Sequence, residues 1–117
     1  MSAPRIDLEV TQGESWSKSF TVIGDDGLPV AFTSATAAMQ VRESAGGTLL
    51  VTLTTANSRI ALGATDGSVV LSLPAGVTAD LAPAGWDAVY DLEITLSDSR
   101  VLKPARGTII VTPEVTV

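Results

Sequence analysis

Residues 88–96 read Ala88-Val89-Tyr90-Asp91-Leu92-Glu93-Ile94-Thr95-Leu96. Ala88, Tyr90, Leu92, Ile94 and Leu96 share one phase of a two-residue period, and Asp91, Glu93 and Thr95 share the other. A period of two marks a strand with one face on a core and the other toward water.

The same period spreads in both directions. Upstream it takes in Ile6, Leu8 and Val10, then Trp16, Phe20 and Val22, then Ala37, Met39 and Val41. Within 48–54 it places Leu49, Val51 and Leu53 on one face, and within 68–73 it places Val69, Leu71 and Leu73. Downstream, 107–112 reads as a last strand with Ile109 and Val111 inward. Between the runs stand GDDG at 24–27, SAGG at 44–47, ATDG at 64–67 and SDS at 97–99. Asp-Gly and Gly-Gly pairs supply the positive φ of tight turns. The stretch around Pro74, Thr78 and Leu81 is the exception and reads as one short helical turn. Short strands with turns at this spacing predict an all-β fold: a single antiparallel β-sandwich of seven to eight strands, one domain over 1–117. The expected core is Ile6, Leu8, Trp16, Phe20, Val22, Met39, Val41, Leu71, Leu73, Tyr90, Leu92, Ile94, Ile109 and Val111.

Tyr90 narrows the architecture. In immunoglobulin-like sandwiches a tyrosine near the start of strand F stands two residues before an inward core position. Tyr90 stands two before Leu92, which points to an immunoglobulin-like arrangement, although a plain core aromatic fits the same residues. A tyrosine corner would send the Tyr90 hydroxyl to a backbone group in 81–87.

Composition excludes several functions. The 117 residues carry 13 acidic and 7 basic side chains, a net charge of -6, and the basic ones are scattered. Nucleic acid and anionic membranes both require a basic face, so neither is an expected partner. The absence of histidine and cysteine removes the commonest general base, thiol chemistry and the usual transition-metal ligands. Asp91 and Glu93 share a solvated strand face, so they do not make a glycosidase pair. Asp25, Asp26 and Asp66 sit in turns without a calcium-loop pattern, and ordinary turn chemistry accounts for them. Trp86 beside Asp87 is the one candidate for stacking on a sugar. No catalytic, cofactor-binding or metal-binding residues are therefore assigned, and no enzyme is expected. No apolar stretch near the start resembles a cleavable signal, so synthesis in a cytoplasm is the expectation.

Four apolar residues fall out of phase: Leu50, Val70, Val89 and Ile110. On half-exposed strands they would contribute to an apolar interface, unless loops cover them or they stand singly.

The order of motifs resembles a known group. Ile6 to Val22 gives a strand, a Gln12-Gly13-Glu14 turn and an aromatic strand. An Asp-Gly turn then leads into Leu28-Pro29-Val30-Ala31-Phe32-Thr33, followed by Met39-Gln40-Val41-Arg42. Gly67 to Leu73 leads to a turn from Thr78 to Leu81, and the chain closes with Tyr90 to Ile94 and Gly107 to Thr116. This succession resembles small structural proteins encoded among the virion genes of tailed bacteriophages and prophages. More loosely it resembles the N-terminal immunoglobulin-like domain of phage baseplate upper proteins. The resemblance implies a non-enzymatic virion component without fixing its place in the particle; tail or baseplate association is the expectation. It also implies multiple copies or a homo-oligomer in the particle, and other phage structural proteins as partners. A capsid decoration protein, or a free carbohydrate-binding or adhesion sandwich, are the alternatives.

Overall fold

The computed structural model describes residues 5–81 and 87–112. Among them, eight strands and one short helix follow in the order β1 (Leu8–Thr11), β2 (Trp16–Thr21), β3 (Thr36–Arg42), β4 (Leu49–Thr54), β5 (Ile60–Leu62), β6 (Ser68–Leu73), α1 (Ala75–Thr78), β7 (Asp87–Thr95) and β8 (Val101–Thr112). They form a five-stranded sheet, β1-β8-β7-β3-β4, and a three-stranded sheet, β2-β6-β5. In the lettering of immunoglobulin domains β3, β7 and β8 stand where C, F and G stand, with β4 as an added C′. The three-stranded sheet matches B, E and D.

The inward phases meet between the sheets. Leu53, Val69, Leu92 and Ile94 are fully buried, with Met39, Val41, Leu71, Ile109 and Val111 packed around them. Of the expected core, ten residues are buried, whereas Ile6, Trp16, Phe20 and Val22 are only half-buried against it. Trp16, Phe20 and Val22 belong to β2 and its continuation, on a sheet edge with one flank uncovered.

The ladders are not all antiparallel: β1 pairs parallel with β8, Leu8 facing Ile109 and Val10 facing Val111. The first strand therefore completes the five-stranded sheet instead of pairing with β2, its neighbour in sequence.

Two bulges alter the sequence phase. Between β3 and β4 the register shifts so that Val41 faces Val51 while Arg42 faces Leu49. Leu50 is the extra residue, and a bulge turns adjacent side chains off the strict alternation. Leu49 is thereby exposed, contrary to its expected inward phase, and Leu50 packs against the core. Between β7 and β8, Leu92 faces Ala105 but Ile94 faces Leu102, so Glu93 opposes two residues, Lys103 and Pro104. Proline has no N–H to donate, and a bulge tolerates it. β8 accordingly begins at Val101, six residues before the expected strand.

The helical turn closes one end. The Thr78 hydroxyl, fully buried, lies 2.9 Å from the Glu14 carbonyl and 3.0 Å from that of Ala75. The Gln12 side-chain amide donates to the Leu81 carbonyl at 3.1 Å. The β1–β2 turn is thus tied to α1, and no helix among the described residues is long and apolar enough to cross a membrane.

Candidate docking surface

The loop from β2 to β3 and the hairpin from β7 to β8 lie together at the other end of the sandwich. The first is shaped by its turn residues. Val22 accepts from Val30 N at 3.0 Å, and Ile23 forms an antiparallel bridge with Pro29. Gly24 N donates to the Leu28 carbonyl at 2.8 Å, and Gly27 takes a φ of 79°. The Asp26 carboxylate accepts the Leu28 N–H at 3.0 Å, an Asx turn. A small hairpin results, and its two flanks project Ile23 (53% exposed) and Leu28 (61% exposed) into solvent.

The facing hairpin is equally local. Leu96 N donates to the Arg100 carbonyl at 2.8 Å, and Ser99 adopts a φ of 73°. The Asp98 carboxylate accepts from Arg100 N at 3.1 Å and contacts Arg100 Nε at 2.8 Å. The backbone donor first, and the guanidinium after it, hold the Asp98 carboxyl below the usual carboxylate range. Val101 follows directly and is 52% exposed.

Between these segments runs an open groove of about 1230 Å³. Half-buried Phe20, Val22, Val30 and Leu102 belong to its walls, and Ile23, Leu28 and Val101 are its exposed apolar members. Asp25 and Asp26 on one side and Arg100 and Lys103 on the other give it charges of both signs. Apolar side chains gathered at one opening have the character of a protein-binding surface.

The four sequence candidates do not form one patch. Val89 and Ile110 share the outer face of the five-stranded sheet: Val89 faces Thr108 and Asp87 faces Ile110, so the two apolar residues are diagonal neighbours. Ile110 is exposed and Val89 half-buried. Val70 lies on the outer face of the other sheet, between Ser19 and Ala61. Leu50, at its bulge, is partly withdrawn into the core. Ile23, Leu28 and Val101 escaped the strand-phase reading because they flank turns, where no alternation flags them. Their available signal was composition: Ile23 and Leu28 directly flank GDDG, and Val101 follows SDS after Arg100.

The remaining acidic candidates have structural partners. Asp66 accepts from Ser68 N at 3.0 Å, and bonds to the Ser68 side chain and backbone lower its carboxyl. Asp91 and Glu93 share Lys103, at 3.7 and 3.9 Å. Trp86 lies outside the described residues, as does most of the 81–87 segment expected to receive the Tyr90 hydroxyl. That hydroxyl donates instead to the carbonyl of Ile6. The acceptor is the segment leading into β1, which the parallel pairing brings across β8.

No family model matches the sequence. No curated protein matches it. In structure, 109 solved chains match. One is a crystal structure of chicken TCR, with a TM-score of 0.54 and 15% identity over 94% of this chain and 54% of that one. The chain thus spans about half the length of that protein. At this identity the likeness concerns fold alone. Together with the two sheets and their strand order, it establishes that the chain is an immunoglobulin-like β-sandwich.

Proposed function

We propose that this chain is a non-enzymatic docking module, a virion structural protein of the tailed-phage kind with tail or baseplate placement. The observation that carries the docking role is the apolar groove between the 22–31 loop and the β7–β8 hairpin, with Ile23, Leu28 and Val101 exposed around it. The virion placement is supported by the succession of motifs from Ile6 to Thr116. The partner is another structural protein of the particle, and each copy seats a segment of it in the groove. Strand addition at β4 contributes little. The Thr52 carbonyl there already accepts from Asn57 Nδ2 and Arg59 Nη1, and Thr54 is bonded through N and O to Asn57 and Arg59.

A specific interface of this kind buries at least about 1,000 Å² in total. Ile23→Asp and Leu28→Asp, both at exposed positions, are expected to leave the thermal midpoint of the isolated domain within a few degrees. The same variants should fail to enter particles, as read by mass spectrometry of purified virions. Absence of the unmodified protein from virions, with abundance in the lysate, would favour a free binding module. Undiminished incorporation of both variants would remove the groove from the interface.

A further inference from the structure

A second concavity, of about 460 Å³, lies on the outer face of the five-stranded sheet, and three arginines line it: Arg5, Arg42 and Arg106. They are three of the seven basic residues in a chain of net charge -6. The register explains their convergence. Gln40, Asp91 and Arg106 form one row across β3, β7 and β8, and Arg42, Val89 and Thr108 form the next. Arg42 and Arg106 therefore flank Val89 from opposite sides, one strand away on either hand, within the reach of two long side chains.

Their partners are few. Among the described residues Arg42 donates to neutral acceptors only, Gly47 O at 2.8 Å and Gln40 Oε1 at 2.9 Å, which fix its guanidinium without cancelling its charge. Among the described residues Arg106 makes no ion pair. Asp91, its direct neighbour across the ladder, contacts Lys103 instead. Arg5 is paired with Asp7 at 3.2 Å. Among the described residues the two guanidinium groups thus stand beside Val89 without a carboxylate bonded to either, although Asp91, held by Lys103, also lines the cleft.

We propose that this cleft binds carboxylate side chains of an acidic segment of a partner protein, Arg42 and Arg106 each gripping an oxygen pair and Val89 meeting the side-chain methylenes. A planar guanidinium matches a carboxylate in two parallel bonds. The net negative charge of the whole domain repels a long polyanion such as nucleic acid, whereas a short acidic segment meets mainly the local positive field. The cleft is separate from the loop-end groove, and the proposal does not depend on it.

The test is a titration of the full chain, labelled with ¹⁵N, with the peptide acetyl-Asp-Glu-Asp-Glu-amide. Its neutral counterpart acetyl-Asn-Gln-Asn-Gln-amide and inorganic phosphate serve as comparisons. Saturable amide shifts are expected at Gly46, Val89 and Thr108 with the acidic peptide alone. Arg106→Gln should weaken binding at least about tenfold. Arg106 is exposed and its side chain makes no hydrogen bond or ion pair among the described residues, so the variant should keep the parent spectrum elsewhere. Arg42→Lys should also weaken binding, since an ammonium keeps the charge and loses the fork. The proposal is overturned by absence of saturation, by equal shifts from the neutral peptide, by tighter binding of phosphate, or by undiminished binding in Arg106→Gln.

Discussion

The phenolic oxygen of Tyr90 donates its proton to the backbone carbonyl of Ile6, 84 positions earlier in the chain. The bond marks a deliberate break in the parallel ladder. Ile6 N donates to Arg106 O at 2.8 Å, and a regular parallel ladder would next take Thr108 N to the Ile6 carbonyl. Thr108 N instead donates to the Asp7 carboxylate at 3.0 Å, and the Thr108 hydroxyl contacts the same oxygen at 3.1 Å. One side chain replaces the missing acceptor, and the freed carbonyl turns inward to the tyrosine. Gly107 makes room for this, because a Cβ there would stand 2.5 Å from the Ile6 oxygen.

Tyr90→Phe keeps the buried ring and removes the bond. The carbonyl of half-buried Ile6 then loses its donor, at a cost of about 1–2 kcal/mol. The urea midpoint should fall while the slope of the transition stays constant. An unchanged midpoint would show that the carbonyl is satisfied some other way.

Alkaline titration reads the same joint. Desolvation first, and the neighbouring Asp7 charge second, push the Tyr90 hydroxyl up to about 12. In the unfolded chain the group ionises near its ordinary value of 10.0. Because the folded pKa is raised, this contribution to stability is complete below about pH 10 and is lost as pH rises toward 12. Tyr90 is the sole tyrosine, so absorbance at 295 nm follows it alone. The folded protein should titrate later than the urea-unfolded chain, and Tyr90→Phe should lose less stability than the parent across that window.

Gly107→Ala should strain the same crossing. The added methyl would meet Ile6 O at 2.5 Å and Asp7 Oδ1 at 2.8 Å, so the β1 lead-in must move. Overpacking of this size costs about 1–3 kcal/mol. The loss should be local: amides of Leu8 to Thr11 should exchange with deuterium faster, while those of β6 keep their protection. Uniform acceleration over both sheets would mean that β1 does not open separately.

Much of this fold is legible in the sequence, and the exceptions have identifiable causes. Tyr90, Leu92 and Ile94 alternate cleanly and are buried as expected. Val101 to Arg106 was hidden because the bulge at Lys103 and Pro104 shifts the inward phase from Leu102 to Ala105. Leu49 and Leu50 exchanged places for a similar reason. The acceptor of the Tyr90 bond was beyond local pattern, because parallel pairing joins the two ends of the described chain. Of the docking surface the strand rule found nothing, since Leu50, Val70, Val89 and Ile110 all lie outside the groove and no alternation marks turn-flanking Ile23, Leu28 and Val101. The arginine cleft was invisible as scattered charges and became a cluster only through the register of β3, β7 and β8.

Lys18 gives the last prediction. It faces Leu71 across the β2–β6 ladder, with Trp16 facing Leu73 and Phe20 facing Val69. Cross-strand partners share a sheet face, so Lys18 stands in the inward phase, yet it is exposed. A lysine of this kind lets its stem lie on apolar surface while its charge reaches water. It also guards an edge, since β2 is the outermost strand of its sheet. The other edges have their own protection: β5 has three residues, β1 has four, and β4 is covered by Asn57 and Arg59. A charge on an edge strand discourages pairing with a second chain. Lys18→Val removes it and leaves Trp-Ser-Val-Ser-Phe-Thr, an uncharged strand. The added apolar burial should raise the folding midpoint slightly, by about 1 kcal/mol at most on a half-open edge. Light scattering after size exclusion should then show more association in the variant than in the parent as concentration rises. Equal molar masses at every concentration, with the midpoint raised, would assign Lys18 no guarding role and leave it as a tolerated polar residue.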